Sequence, residues 1–128
     1  QLLVLASIVE KETGQAHERP QIAGVFVRRL QANMRLQTDP TVIYGMADAY
    51  RGNISKQDLR RDTLYNTYTR AGLPPTPIAM PGRAALTASA HPAGGDALYF
   101  VAMGNGEHLF SASYDEHRKA VQTYQKKQ

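Results

Sequence analysis

The sequence predicts an α+β fold: a helical core, one small antiparallel β-hairpin and long ordered loops. Three observations predict it. Residues 1–14, QLLVLASIVEKETG, and the stretch after Pro20 carry apolar residues at the three- and four-residue spacing of amphipathic helices. Residues 97–103 and 108–111 are apolar runs flanking Gly104-Asn105-Gly106-Glu107, the pattern of a hairpin. Residues 64–83 contain Pro74, Pro75, Pro77 and Pro81 and follow neither period. At 128 residues the chain has room for one domain, spanning 1–128, with a single modest core.

In the first helix Leu2, Leu5, Ile8 and Val9 recur on one face, and Gly14 is a natural stop. At about 100° per residue the stripe centres between Leu5, Ile8 and Val9. Glu12 falls in that stripe, whereas Glu10 falls on the other side, near Leu3 and Ala6. A carboxylate on a buried face breaks the patterning of a core helix, and such positions tend to be functional or strained. Desolvation and the negative end of the helix dipole both predict a raised pKa for Glu12. A carboxyl that stays protonated near neutral pH is what a general acid needs. The alternative is a Glu that reaches a core Arg.

Pro20 suits the first turn of a second helix, marked by Ile22, Val25, Phe26 and Leu30. Arg29 borders that stripe and either snorkels to solvent or pairs with Glu10 or Glu12. In residues 33–46, NMRLQTDPTVIYGM, Pro40 makes 37–39 extended or turn-like. Thr41, Val42, Ile43 and Tyr44 are β-formers, but Pro40 equally opens a short helix with Asp39 as its cap, so this element stays open. Residues 47–63 are polar, with a turn at Gly52-Asn53 and a short helix starting at Ser55, where Asp58 completes a capping-box pattern. The prolines of 64–83 lower the entropy cost of holding one loop shape. A loop this long in a small domain is uncommon unless it binds something. Pro81-Gly82 leads into a small-residue helix over 84–90, which His91-Pro92 ends. Residues 93–96 form a turn, the hairpin follows, and 114–127 reads as a polar helix with Ala120, Val121 and Tyr124 as its thin apolar face.

The composition excludes several classes. There is no cysteine, hence no disulfide and no thiolate metal site. His17, His91, His108 and His117 are scattered without an HExxH, so neither metal nor cofactor is expected. A triad of Ser7, His91 and Asp39 lacks the GxSxG elbow. The net charge of +4 is spread along the chain, with adjacent pairs only at Arg28-Arg29, Arg60-Arg61 and Lys126-Lys127. The Tyr-rich loop carries only Arg70, so a nucleic-acid surface is not expected either. No run approaches the roughly 18 apolar residues of a membrane span. The chain opens inside an amphipathic pattern without a cap, which predicts a portion of a longer protein.

Sugar cleavage fits the residues best. A saccharide site wants aromatic faces, fixed amide and hydroxyl hydrogen-bonders, and a carboxyl acid. Tyr65, Asn66, Thr67 and Tyr68, with Gln37, Asp39, Thr41 and Tyr44, supply the first two, and Glu12 supplies the acid. Hydrolysis normally needs two carboxylates. Asp39 is the obvious second one, and it is equally explained as a turn or cap residue. One acid without a partner points instead to attack by the substrate's own hydroxyl.

The segments ASIVEKET, VFVRRL, MRLQTDPTVIYGM, YNTYTRAGLPPTPIAMPG, AALTASAHPA, LYFVA and FSASYDEH, in order over nearly the whole chain, resemble the endolytic murein transglycosylase family, the YceG-like or MltG group. The resemblance implies a bacterial lyase that cuts nascent peptidoglycan strands internally. It would break the β-1,4 link from N-acetylmuramic acid to N-acetylglucosamine, leave 1,6-anhydromuramic ends and so limit strand elongation. It further implies a parent with an N-terminal transmembrane helix and a LysM-like module, this catalytic domain on the outer face of the inner membrane, and peptidoglycan synthases as partners. The family's catalytic glutamate lies in ASIVEKE. The resemblance and the helical face both favour Glu12, with Glu10 holding Arg29 or the Tyr-Asn loop. It places Gln37, Asp39, Thr41, Tyr44, Asn66, Thr67 and Tyr68 around the sugar. The family's loop more often reads GLPPGPI, and Thr76 replaces its second Gly here. Two further readings stay open: a non-catalytic glycan-binding or scaffold module for synthases, and a hydrolase using Asp39.

Overall fold

The structure, a computed structural model, describes residues 1–125. Helix α1 (Leu2–Glu12) is followed by a 3-10 turn (Ala16–Glu18) and α2 (Arg19–Gln31). Next come α3 (Asp39–Met46) with a 3-10 turn (Ala47–Ala49), α4 (Lys56–Arg60) and α5 (Arg83–Ala90). Strands β1 (Tyr99–Ala102) and β2 (His108–Ser111) precede α6 (Tyr114–Tyr124). The α+β expectation holds. The part of the tail helix expected over 126–127 lies outside the described residues.

The core follows from the apolar stripes. Leu5, Ile8 and Val9 of α1 meet Ile22, Ala23 and Phe26 of α2 and Ala85 of α5, and Leu36 and Ile78 close the cluster from the loops. Small residues let three helices approach closely: Ala6, Ala23 and Ala85 are wholly buried. The hairpin pairs Tyr99 with Ser111 and Val101 with Leu109, antiparallel. It joins the core by the edge of Phe26 against Phe100, ring centroids 5.7 Å apart.

Helix α1 ends at Glu12, two residues before the end of the expected stretch. Thr13, not Gly14, breaks it, in an extended conformation (φ −146°, ψ 143°). The Thr13 hydroxyl accepts from Gln15 N (3.0 Å), an alternative to the helical bond. The undecided element at 39–46 is helical. Its cap is Thr38 rather than Asp39, and Pro40 sits in the first turn, where a missing N–H leaves nothing unpaired. The expected capping box, Ser55 with Asp58, opens α4, and a second, unexpected one, Ser113 with Glu116, opens α6.

The loop over 64–83 has no regular structure, yet it is pinned. Ser7 Oγ donates to Val4 O (2.7 Å) and accepts from Ile78 N (3.0 Å), so a mid-helix serine supplies the backbone partner of a buried loop residue. Arg29 does not pair with Glu10 or Glu12. Its Nε donates to Leu98 O (2.6 Å) and its Nη1 to Arg35 O (2.7 Å). Arg28 does likewise, to Ala97 O (2.7 Å) and Ala93 O (3.0 Å). The adjacent arginines thus staple 93–98 onto α2 by satisfying its free carbonyls.

Gly24 makes that staple possible. A Cβ at position 24 would stand 2.4 Å from Ala93 O, a backbone atom. Ala93 N in turn donates to Pro20 O (2.9 Å), so the segment has little room to retreat. Gly24→Ala gains about 1 kcal/mol of helix propensity but forces backbone displacement costing about 1–3 kcal/mol. The variant is expected to unfold at lower denaturant concentration than the wild type. An unchanged or higher midpoint would show that residues 93–98 are not held against α2.

Candidate active site

Glu12 is the last residue of α1, and the extended Thr13 turns the chain away beyond it, leaving its side chain at the head of a cavity of about 340 Å³. The cavity runs between α1, the 36–39 segment, Tyr68, β1 and α6. A larger cavity, of about 470 Å³, lies between α3 and residues 49–63. Its charged groups Asp58 and Arg61 pair with each other (2.9 Å), and it holds no carboxyl in an apolar setting.

Burial pushes the Glu12 carboxyl above its ordinary value. A hydrogen bond from Thr38 works against this, the negative charge of Asp39 adds to it, and His108 again opposes it. Thr38 Oγ1 donates to Glu12 Oε2. Thr38 is held in turn: its N–H donates to Thr67 Oγ1 (2.9 Å), and its carbonyl accepts from Thr41 Oγ1 (2.9 Å) and Thr67 Oγ1 (3.3 Å). Thr67 is fixed by its neighbour Asn66, which is buried. Asn66 Nδ2 donates to Leu59 O (3.0 Å) and Arg61 O (2.7 Å), and its Oδ1 accepts from Tyr68 N (2.8 Å). Tyr68 OH donates to Asp39 Oδ1 (2.6 Å). Burial first, and that bond second, push the Tyr68 phenol far above its ordinary value, so it remains a donor.

Of the residues predicted from sequence, Glu12, Gln37, Asp39 and Tyr68 line this cavity. Thr41, Asn66 and Thr67 stand behind its wall as supports, each almost wholly buried. Tyr44 is directed elsewhere: it packs on Tyr65 (centroids 4.8 Å apart) and, with Lys11, Pro40, Ile43 and Ile78, borders a different surface hollow. Glu10 holds neither Arg29 nor the Tyr-Asn loop. Its Oε1 accepts from Gly82 N (2.7 Å) at the N-terminus of α5, where a helix offers unpaired N–H groups to a carboxylate.

The cavity also contains groups that sequence reasoning missed. His108 at the start of β2 and His117 of α6 line it, as does Arg29, whose guanidinium lies 4.9 Å over the Tyr99 ring. His117 stacks on the same tyrosine (4.9 Å, 20°), and burial, then Arg29, lower its pKa. Glu18 is buried and accepts from His108 N (2.6 Å), His108 Nδ1 (2.8 Å) and Thr13 Oγ1 (3.3 Å). Burial raises the Glu18 pKa, but the bonds from His108 outweigh it and leave the carboxyl below its ordinary value. A signal for Glu18 existed: it stands four residues before Ile22, on the apolar stripe of α2, the same irregularity that singled out Glu12. Among the described residues no cluster of His, Asp and Glu has metal-binding geometry.

The cavity thus offers one carboxyl whose pKa burial raises, a hydroxyl that orients it, a second carboxylate tied to a phenol, and a carboxylate-backed imidazole. Such a set can handle protons in an open, polar cleft. The chain is 44% identical over 123 residues to an endolytic murein transglycosylase of Bacillus subtilis, matching 96% of this chain and 34% of the relative. It is 33% identical over 126 residues to the endolytic murein transglycosylase of Streptococcus pneumoniae, matching 94% of this chain and 23% of the relative. The chain therefore spans about a third of the length of the first of these curated relatives and about a quarter of the second. A crystal structure of a yceG-like protein from Listeria monocytogenes superposes with a TM-score of 0.86 at 42% identity, over 92% of this chain and 38% of that one. The YceG-like family model matches residues 1–123, and the chain belongs to that family.

Proposed function

We propose that this chain is the catalytic part of an endolytic murein transglycosylase that cuts peptidoglycan strands at the N-acetylmuramic acid to N-acetylglucosamine β-1,4 bond and leaves 1,6-anhydromuramic ends. The observation that carries the proposal is Glu12: a carboxyl whose pKa burial raises, with a single hydroxyl orienting it, lining an open polar cleft. Glu12 protonates the glycosidic oxygen, C1 gains oxocarbenium character, and the muramyl C6 oxygen closes on C1. The C6 hydroxyl proton returns Glu12 to its starting state. No water enters the balance. Gln37, Asp39 and Tyr68 face the sugar, and Arg29 and His117 line the same cleft. The parent protein would be anchored in the inner membrane with this domain on the outer face, beside the synthases that polymerise glycan. Among the described residues no helix is long and apolar enough to cross a membrane.

A non-catalytic scaffold gains nothing from a desolvated acid, so the enzyme reading is preferred. A hydrolase would need Asp39 as base or nucleophile, and Tyr68 already occupies one of its oxygens.

Mass spectrometry of products from uncrosslinked glycan strands tests the proposal. The wild type is expected to yield fragments one water lighter than hydrolytic ones. Glu12→Gln should lower their yield about 100-fold or more. Full reducing ends would mean hydrolysis and move attention to Asp39.

The same substitution has a stability signature. A group whose pKa is raised in the folded state contributes stability that is fully present at pH values below its unfolded pKa. That stability is lost as pH rises through the folded value. Glu12 is such a group, with an ordinary value of 4.5. Glu12→Gln should therefore melt above the wild type at neutral pH, and the two curves should converge below that value. A variant less stable than the wild type at neutral pH would mean that Glu12 is ionised and paired.

A further inference from the structure

Glu12 is not the only proton-handling group aimed into the cavity. His108 is 90 residues from Glu18 in sequence, yet its ring Nδ1 and its main-chain N–H both end on that buried carboxylate. An ionised carboxylate accepts only, so Nδ1 carries a hydrogen and the imidazole is fixed in one orientation. Its other nitrogen, Nε2, has no hydrogen-bond partner among the described residues, and it is not sealed off as a buried unpaired atom. The residue lines the same cavity as Glu12. The edge of Phe100 against the imidazole (5.3 Å) holds the plane of the ring.

We propose that His108 is a second catalytic residue, and Glu18 its positioning residue: Nε2 takes the proton of the muramyl C6 hydroxyl as that oxygen closes on C1, and passes it to the Glu12 carboxylate. This rests on the transglycosylase reading above and supplies the route of its second proton. In the first half, the Glu12 proton goes to the leaving oxygen and the C1–O4 bond breaks with its electron pair on that oxygen. In the second, the O6–H pair forms the O6–C1 bond, the proton moves to Nε2, and imidazolium returns it to Glu12. Charge and atoms close without a co-reactant. The arrangement follows carboxylate–histidine chemistry elsewhere, in which the carboxylate sets the tautomer and steadies the transient cation. It also gives the acid a partner other than Asp39, one of whose oxygens Tyr68 occupies: the partner is an imidazole.

A structural role competes with this, because Glu18 also anchors the start of β2 through the His108 N–H. The test must read chemistry and not only folding. The charged and titratable groups facing His108 are Glu18 from the 3-10 turn, Glu12 from α1, Arg29 from α2, Asp39 from α3, Tyr68 from the loop and His117 from α6. Formation of 1,6-anhydro ends from uncrosslinked glycan strands is followed against pH for the wild type, His108→Gln, Glu18→Gln and the double variant. Thermal melting of each is recorded at the same pH values. The wild type should give a bell, since the step needs Glu12 protonated and His108 neutral. His108→Gln should lower kcat about 100-fold with KM nearly unchanged, and keep only the alkaline decline. Glu18→Gln should also lower kcat rather than raise KM, and should add no further loss on the His108→Gln background. His108→Asn is read the same way if Gln unsettles the hairpin. A wild-type profile without an acid limb, a His108 variant that retains that limb, or losses confined to KM or melting would overturn the inference and leave the transglycosylase reading standing. Absence of anhydro ends from the wild type overturns both.

Discussion

The site depends on one hydrogen bond, from the Thr38 hydroxyl to the Glu12 carboxyl, made where water is largely excluded. Burying an ionised carboxylate without a partner is so unfavourable that the group takes up a proton instead. One hydroxyl donor favours the charged form, and Asp39 nearby disfavours it; burial decides. The result is a carboxyl oriented by a group whose hydrogen bond does not offset the effect of burial on its pKa. An arginine in place of Thr38 would orient Glu12 equally well and destroy its acidity.

Everything behind Thr38 exists to hold that hydroxyl still. Thr41 and Thr67 bind its carbonyl, Thr67 also takes its N–H, and buried Asn66 fixes the turn from which Thr67 projects. These are side chains bonded to main chain, which the loop needs because it has no ladder of its own. The long segment after Asn66 is tied to the core at Ser7, and the segment before the hairpin is tied by Arg28 and Arg29. Polar residues buried inside this domain therefore do the work of a sheet: they satisfy the carbonyls and N–H groups of irregular chain.

The legible part of this fold is local. Helical spacing locates α1 and α2, a capping pair locates α4, small residues after Pro81-Gly82 locate α5, apolar runs flanking Gly104-Asn105-Gly106-Glu107 locate the hairpin, and a thin apolar face locates α6. Glu12 is legible because a charge on an apolar stripe is a local contradiction. What escapes is contact at a distance. Nothing near Arg29 says that its partners are the carbonyls of Arg35 and Leu98 rather than Glu10 or Glu12. Nothing near Glu10 says that it caps α5, more than seventy residues on. The element at 39–46 was ambiguous because Thr41, Val42, Ile43 and Tyr44 favour strands while Pro40 favours a helix start. Burial of Thr41 and Val42 against the core decided it.

Glu12 and Glu18 show how environment divides labour between identical side chains. Both lie on apolar helix faces, six residues apart, and burial pushes both toward protonation. Glu12 meets one hydroxyl and a like charge, so its pKa ends above the ordinary value. Glu18 meets two N–H donors from His108 and the Thr13 hydroxyl, and its pKa ends below. Groups whose environments drive their pKa values apart are the usual mark of an acid and a base sharing one site. In the proposed mechanism the acid acts directly, and the carboxylate acts through the imidazole that it holds. The short link between α1 and α2 is what makes this possible. Thr13 ends the first helix at Glu12 and also donates to Glu18, so one residue releases the acid into the cleft and helps keep its counterpart ionised.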